Sequence, residues 1–334
     1  MLRRFHGLPP GFIEAPAETL YRVVGGPCLI HLSGRREPPL FVSVLLHGNE
    51  RTGLEAVQAL LAKYHQRELP RALSIFVGNV DAARHGLRRL DHQPDFNRVW
   101  PGCGADDREE HAMMRQVVDE MAGRGVFASV DVHNNTGLNP HYGCVNVIDD
   151  RFLHLATLFS RTVVYFVTPT GVQSAAFAPL CPAVTVECGQ SGQEHSREHA
   201  FEYLDACMNL AEIPAHPVAT HDIDLFHTVV QVKVPETLSF GFDASDADVR
   251  FERDIDHLNF RELAAGTVLG TVRDGARLEA WDESGREVGE GFFVYAGGEI
   301  RLKRAAMPSM LTLDERVIRQ DCLCYLMERY PLES

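Results

Sequence analysis

The chain contains no run of 18 or more apolar residues, so no segment has the length and hydropathy of a membrane-spanning helix. Its start, Met1-Leu2-Arg3-Arg4-Phe5-His6, lacks the apolar stretch of a secretory signal. Basic residues are in deficit. Against 46 Asp and Glu stand 32 Lys and Arg, a formal charge of −14, which argues against a nucleic-acid surface. Local arginines, and not the net field, would have to attract an anionic substrate. The eight cysteines form no paired framework; Cys28, Cys144, Cys181 and Cys188 lie inside apolar runs, as reduced, buried thiols do in a cytoplasm. Cys322-Leu323-Cys324 has no second close pair to complete a metal site. No internal repeat or low-complexity tract is present. These absences point to a soluble cytoplasmic protein with neither membrane nor nucleic acid as partner, and leave a homo-oligomer open. The 45% hydrophobic content supports a packed core, and 334 residues are too many for one ordinary core. Two domains are expected, 1–215 and 216–334.

What is present is chemistry at strand ends. Phe41-Val42-Ser43-Val44-Leu45-Leu46 reads as a buried strand and runs into His47-Gly48-Asn49-Glu50. Open α/β sheets place their ligands just past the carboxyl ends of such strands. Imidazole and carboxylate are both zinc ligands, and a catalytic zinc takes three protein ligands and keeps one position open. The third candidate is His133, which closes Val126–Val132 and precedes the loop signal Asn134-Asn135-Thr136-Gly137. Residues two apart on a strand share a face, so Asp131 can hold the far nitrogen of a metal-bound His133. A strand-end histidine satisfied by Asp131 without any metal is the alternative. A third run, Pro182–Val186, ends in Glu187, a general-base candidate. A buried carboxylate needs a charged neighbour, and an arginine salt bridge would serve as well as a metal.

The segment Asn79 to Arg98 follows a strand over Ala72 to Gly78 and lacks a helical period, so it reads as a long functional loop. It brings Arg88, Arg89 and Arg98, whose guanidinium groups suit carboxylates and oxyanions. A capping box at Thr52-Gly53-Leu54-Glu55 starts a helix with Leu54, Val57, Leu60 and Leu61 on its apolar face. Further helices are expected over Arg108 to Met121, Arg151 to Ser160 and Glu194 to Leu210, while residues 1–37 read as short strands. Met113, Met114, Val117 and Met121 have core spacing. His195 and His199 can share a metal but read as a solvated face among Glu194 and Glu198. After Pro217, short runs near Thr228–Val234, Gly266–Val272, Arg277–Trp281, Gly291–Tyr295 and Glu299–Lys303 indicate a β-rich domain. The fold class is α/β: a mostly parallel, doubly wound sheet with flanking helices, plus a smaller C-terminal β-rich domain.

His47-x-x-Glu50, Asp95-Phe96-Asn97-Arg98, Asp131-Val132-His133-Asn134 and Val186-Glu187-Cys188-Gly189, in this order, resemble the aspartoacylase and succinylglutamate desuccinylase family of the zinc carboxypeptidase superfamily. The likeness covers roughly residues 38–200, with a weaker echo at Leu311-Thr312-Leu313. It implies Zn2+ held by His47, Glu50 and His133, with Glu187 activating the metal-bound water and Arg89 polarising the scissile carbonyl. It implies that Asn97 and Arg98 hold a substrate carboxylate. Asn134 beside His133, and Tyr295 in the β-domain, complete the candidate substrate contacts, a core or edge-strand role for Tyr295 being the alternative. Leu90 to Asp95 is longer here than in typical members, which leaves Arg88 as the rival of Arg89. The implied activity is hydrolysis of the amide of an N-acyl amino acid or similar small carboxylate, the β-domain narrowing access. A carboxypeptidase acting on short peptides and a zinc-bound, non-catalytic binding protein are the alternatives; the intact Glu187 speaks against the latter. Thr170–Leu180, where aspartoacylases carry an arginine for a second substrate carboxylate, contains no basic residue. A monocarboxylate substrate is therefore expected in preference to N-acetylaspartate.

Overall fold

A strand buried on both faces needs an unbroken run of aliphatic and β-branched residues, and four such runs form the middle of one sheet in the computed structural model. It describes residues 1–105, 107–242 and 246–331. The chain divides into two compact units. The first comprises 1–134, 141–165 and 169–224; the second takes in 135–140, 166–168 and the chain from 225 onward.

In chain order the first unit carries β1 (Arg3–Phe5), α1 (Ala17–Val24), β2 (Cys28–Leu32), β3 (Leu40–Val44), α2 (Thr52–Lys63), β4 (Leu73–Val77), α3 (Val80–Ala83) and α4 (Glu109–Arg124). There follow β5 (Ala128–Asn135), β6 (His141–Val145), α5 (Asp150–Thr157), β7 (Thr162–Tyr165), α6 (Gln173–Phe177), β8 (Ala183–Gln190) and α7 (Glu194–Asn209). Its strands lie in the order β1-β2-β4-β3-β5-β8-β6-β7. The pairs β1/β2, β3/β4, β3/β5 and β6/β7 are parallel, while β2/β4 and β6/β8 are antiparallel. The result is the mostly parallel, helix-flanked α/β sheet read from the sequence. From β3 the chain goes to β4 on one side and later enters β5 on the other. α/β sheets bind ligands beyond the carboxyl ends of their strands at such a reversal.

The helices follow their apolar stripes. α2 buries Leu54, Val57, Leu60 and Leu61, and α4 buries Met113, Met114, Val117 and Met121 before ending at Gly125, whose φ of 69° is left-handed. Three local expectations are corrected. Residues 1–37 are not strands alone: Ala17, Leu20 and Val24 are buried along one face of α1, which Gly25 caps in the left-handed region. The segment after β4 is not wholly loop, because Asn79 Oδ1 accepts from Ala82 N and starts α3. The capping box at Thr52 is absent. Arg51 is the N-cap residue, and neighbours satisfy the first donors of α2, Ser191 Oγ taking Arg51 N and Asn134 Oδ1 taking Thr52 N.

The second unit is β-rich. It contains β9 (Asp224–Lys233), β10 (Phe240–Phe242), β11 (Val249–Phe251), β12 (Val268–Val272), β13 (Glu279–Asp282), α8 (Gly289–Phe292), β14 (Phe293–Ala296), β15 (Glu299–Leu302), β16 (Met307–Ser309), α9 (Glu315–Gln320) and β17 (Cys324–Arg329). β17 lies between β9 and β16, β13 also pairs with β9, and a separate sheet runs β10-β11-β12-β15-β14. Val230, Val232, Phe251, Ile300, Leu302 and Leu326 belong to its core, as does Cys324. No helix among the described residues is long and apolar enough to cross a membrane.

Candidate metal centre

β3 ends at Val44, and Leu45 adopts φ 54°. That left-handed conformation costs a residue with a Cβ about 1–2 kcal/mol. The bend leads into the His47–Glu50 turn, and Leu45 O accepts from Asn79 N at 2.6 Å. Gly48 is required by space: a Cβ there would lie 2.2 Å from Ala83 N, and Gly48 N donates to Arg88 O at 3.1 Å. His47, Glu50 and the segment carrying Arg88 are thereby locked to one another.

His47, Glu50 and His133 are buried, and their potential ligand atoms all lie within 4.8 Å of one another. His47 Nδ1 lies 2.8 Å from Glu50 Oε1, and His133 Nδ1 lies 2.7 Å from Glu50 Oε2. The far nitrogens face further carboxylates, His47 Nε2 to Asp95 Oδ1 at 2.9 Å and His133 Nε2 to Asp131 Oδ2 at 2.8 Å. Asp131 Oδ1 accepts from Ser43 Oγ at 2.6 Å, so both of its oxygens are engaged. Arg88 grips Asp95 Oδ2 through Nε (3.1 Å) and Nη2 (2.8 Å), and its Nη1 lies 3.8 Å from Glu50 Oε1.

The charges explain how these groups titrate. Three carboxylates against one guanidinium leave a formal −2, which either two protonated imidazoles or one divalent cation would neutralise. Burial disfavours the charged form of His133, but Asp131 and Glu50 outweigh it and hold its pKa well above the usual value. For His47, burial and Arg88 oppose the charge, yet Asp95 and Glu50 still raise its pKa. Burial alone would raise Glu50 and Asp95; the two imidazoles pull Glu50 down, and Arg88 with His47 pulls Asp95 down. Two imidazole nitrogens turned toward one carboxylate, each ring held from behind by another carboxylate, form a donor set that suits zinc.

Glu187 stands on β8, the neighbour of β5 in the sheet, and is buried. Burial pushes its carboxyl up to about 7, with His133 opposing the rise. The other expected residues divide. Asn97 is buried, accepts at Oδ1 from Gln173 N (2.9 Å), and brings Nδ2 to 3.2 Å from His133 Nε2. Arg98 Nη1 donates to Asn97 O at 2.8 Å, and Arg89 Nη1 to Gln93 O at 2.9 Å. Asn134 is bonded to Glu50, Thr52 and Gly189. Tyr295 belongs to the second unit, where its hydroxyl accepts from Leu278 N at 2.9 Å and its ring stacks under Arg277. His195 is exposed, but His199 is half-buried, donating from Nε2 to Phe159 O at 2.8 Å and stacking 4.7 Å from His141. It is a packed side chain and not part of a solvated face. Asp95 and Ser43 are site residues that the sequence reading gave no role. Ser43 had a signal, as a hydroxyl in an otherwise apolar strand.

The site is thus an α/β sheet with a two-histidine, one-glutamate cluster at its switch point that could hold a metal ion, and a buried carboxylate on the adjoining strand. The sequence profile of the succinylglutamate desuccinylase/aspartoacylase catalytic domain matches residues 37–209, just over half of the chain and every site residue named here except Tyr295. The chain belongs to this family of acyl-amino-acid deacylases. A comparison with curated protein sequences gives no match. Among solved structures, the succinylglutamate desuccinylase of Chromobacterium violaceum is 17% identical, over 93% of this chain and 90% of that one, with a TM-score of 0.61. Murine aminoacylase 3 is 15% identical over 88% and 97%, with a TM-score of 0.55. The product-bound ectoine utilization protein of Ruegeria pomeroyi is 15% identical over 91% and 88%, with a TM-score of 0.56. At these identities the likeness is one of fold.

Proposed function

We propose that the protein is a zinc-dependent deacylase that hydrolyses the amide of an N-acyl amino acid or similar small carboxylate, with its catalytic residues in a domain spanning 1–215 and a smaller β-rich domain over 216–334. The observation that carries this reading is the convergence of His47 Nδ1 and His133 Nδ1 on the Glu50 carboxylate, with Glu187 buried on the next strand. His47, Glu50 and His133 would hold the ion, and Asp95 and Asp131 would keep each imidazole in the tautomer that presents Nδ1. A zinc ion held there would supply Lewis acidity and would make water a stronger acid. Glu187 takes a proton from the attacking water as its oxygen bonds to the amide carbon, and delivers that proton to the amine nitrogen as the C–N bond breaks. Burial, which raises the Glu187 carboxyl, favours its taking and holding that proton. The cation facing the developing oxyanion is assigned to Arg88 in place of Arg89, supported by the 3.8 Å between Arg88 Nη1 and Glu50 Oε1. Asn97 and Arg98 receive the substrate carboxylate. Tyr295 is assigned to the fold of the second unit. All eight cysteines are free and seven are buried, which supports a reducing, cytoplasmic setting.

The substrate is proposed to carry one carboxylate. Gln173 N bonds Asn97 Oδ1, which sets the start of α6 beside the Asn97 end of the site, and Thr170–Leu180 has no basic residue. A second carboxylate buried there unpaired would cost several kcal/mol. Zinc-loaded protein is expected to show a kcat/KM for neutral N-acyl amino acids at least about tenfold above that for N-acetylaspartate, since 1.4 kcal/mol already gives that factor. A preference for N-acetylaspartate would overturn the monocarboxylate reading, and no turnover of any acyl amino acid would overturn the deacylase itself.

A further inference from the structure

Asn134 immediately follows His133 and is 5% exposed. Its main-chain N–H donates to Glu50 Oε2 at 3.2 Å. Its side-chain Oδ1 accepts from Thr52 N at 3.3 Å, and Nδ2 donates to Gly189 O at 3.0 Å. Thr52 lies two residues beyond Glu50, at the start of α2. Gly189 lies two residues beyond Glu187, on β8. One amide therefore joins three chain segments: the end of β5 with His133, the start of α2 after Glu50, and the strand carrying Glu187.

We propose that Asn134 is a positioning residue that fixes the spacing between the candidate metal ligands and Glu187, and is not a substrate contact. Both side-chain partners are main-chain groups of regular elements, so the amide orientation is set: oxygen to the helix donor, nitrogen to the strand acceptor. Turning the amide towards a substrate would break one of these buried bonds and leave the Thr52 N–H or the Gly189 carbonyl without a partner from Asn134. Asparagine also carries its acceptor and its donors on separate atoms, so one short side chain can meet a donor on one side and an acceptor on the other. Aspartate keeps the acceptor for Thr52 but turns an oxygen towards the Gly189 carbonyl, whereas alanine removes both ties and leaves the main-chain bond to Glu50 in place.

The inference rests on the metal-site reading above, and its test separates the two. Zinc affinity of the full chain is measured by chelator competition for the wild type, Asn134→Ala and Asn134→Asp, with kcat and KM for a neutral N-acyl amino acid and the Tm of each metal-free protein. Loss of a group that orients metal ligands typically weakens metal binding about 10–100-fold. Asn134→Ala is expected to fall in that range, with kcat reduced and KM within about twofold of the wild type. Asn134→Asp is expected to lose kcat by more than it loses zinc affinity, because its damaged tie is the one to the strand of Glu187. A wild type that binds zinc and turns over, with variants of unchanged zinc affinity and a KM raised tenfold or more, overturns the proposal in favour of a substrate contact. Variants indistinguishable from the wild type overturn it as well. Should Asn134→Ala fail to fold, Asn134→Asp carries the same comparison. A wild type that binds no zinc removes the metal-site reading, and the positioning role with it.

Discussion

At the scale of the residue, the site consists of charges that cannot be buried singly. Glu50, Asp95 and Asp131 surround two imidazoles, and only Arg88 among the contacts described above brings a fixed positive charge. Glu187 is the exception, lacking enough positive charge to offset its burial, and its carboxyl rises to about 7. A carboxyl whose folded pKa exceeds its unfolded value of about 4.5 adds its full share of stability only below that value, and loses it as pH climbs through about 7. Metal-free Glu187→Gln should therefore be more stable than the metal-free wild type at pH 8, by an amount on the order of 3 kcal/mol, the gap closing towards pH 4. The same variant should keep its zinc and lose kcat by at least about a hundredfold. Thermal unfolding across pH, with metal analysis and turnover, checks all three. A gap that widens towards acid would contradict the account of burial, and unchanged kcat would give the proton transfer to another group.

At the scale of the element, the sheet was legible because its central strands announce themselves. Leu40–Val44, Leu73–Val77, Ala128–Asn135 and Ala183–Gln190 are buried runs ended by polar, ionisable or glycine residues, and a chain pattern of that kind fits few alternatives. Cap chemistry was less legible. Thr52 had the right spacing for a capping box, but the donors of α2 are met by Ser191 and Asn134, distant in sequence and so invisible to a local pattern. The histidine-ligand turn shows the same dependence on a distant partner. Gly48 looks like an ordinary turn glycine, yet its need arises from Ala82, Ala83 and Leu87 pressing on it from α3 and the chain beyond. Gly48→Ala should therefore cost about 2 kcal/mol or more, as overpacking against a backbone does, and should weaken zinc binding by moving His47 relative to Asp95. Denaturant unfolding and zinc titration measure the two effects. A variant with wild-type stability would show that the loop yields without cost.

At the scale of the whole molecule, a chain with formal charge −14 carries three arginines, Arg88, Arg89 and Arg98, in one short segment. The four motifs that carry the family likeness are spread over some 140 residues, and the sheet order β4-β3-β5-β8 brings three of them onto adjacent strand ends. The motifs offered His47, Glu50 and His133 as candidate ligands, and the structure brings these three side chains together. Sequence order alone could not show that Arg88 meets Asp95 while Arg89 bonds Gln93 O, because neighbouring loop residues differ only in the direction the backbone gives them. Nor could it show Asp95 behind His47, a contact made across 48 residues. The central claim is that His47, Glu50 and His133 form one metal site. Its most direct test is zinc content per chain, measured on protein purified without added metal, for the wild type and for His133→Ala and His195→Ala. The account predicts one zinc per chain in the wild type and in His195→Ala, and a large loss of zinc in His133→Ala. Equal zinc content in the two variants would contradict it.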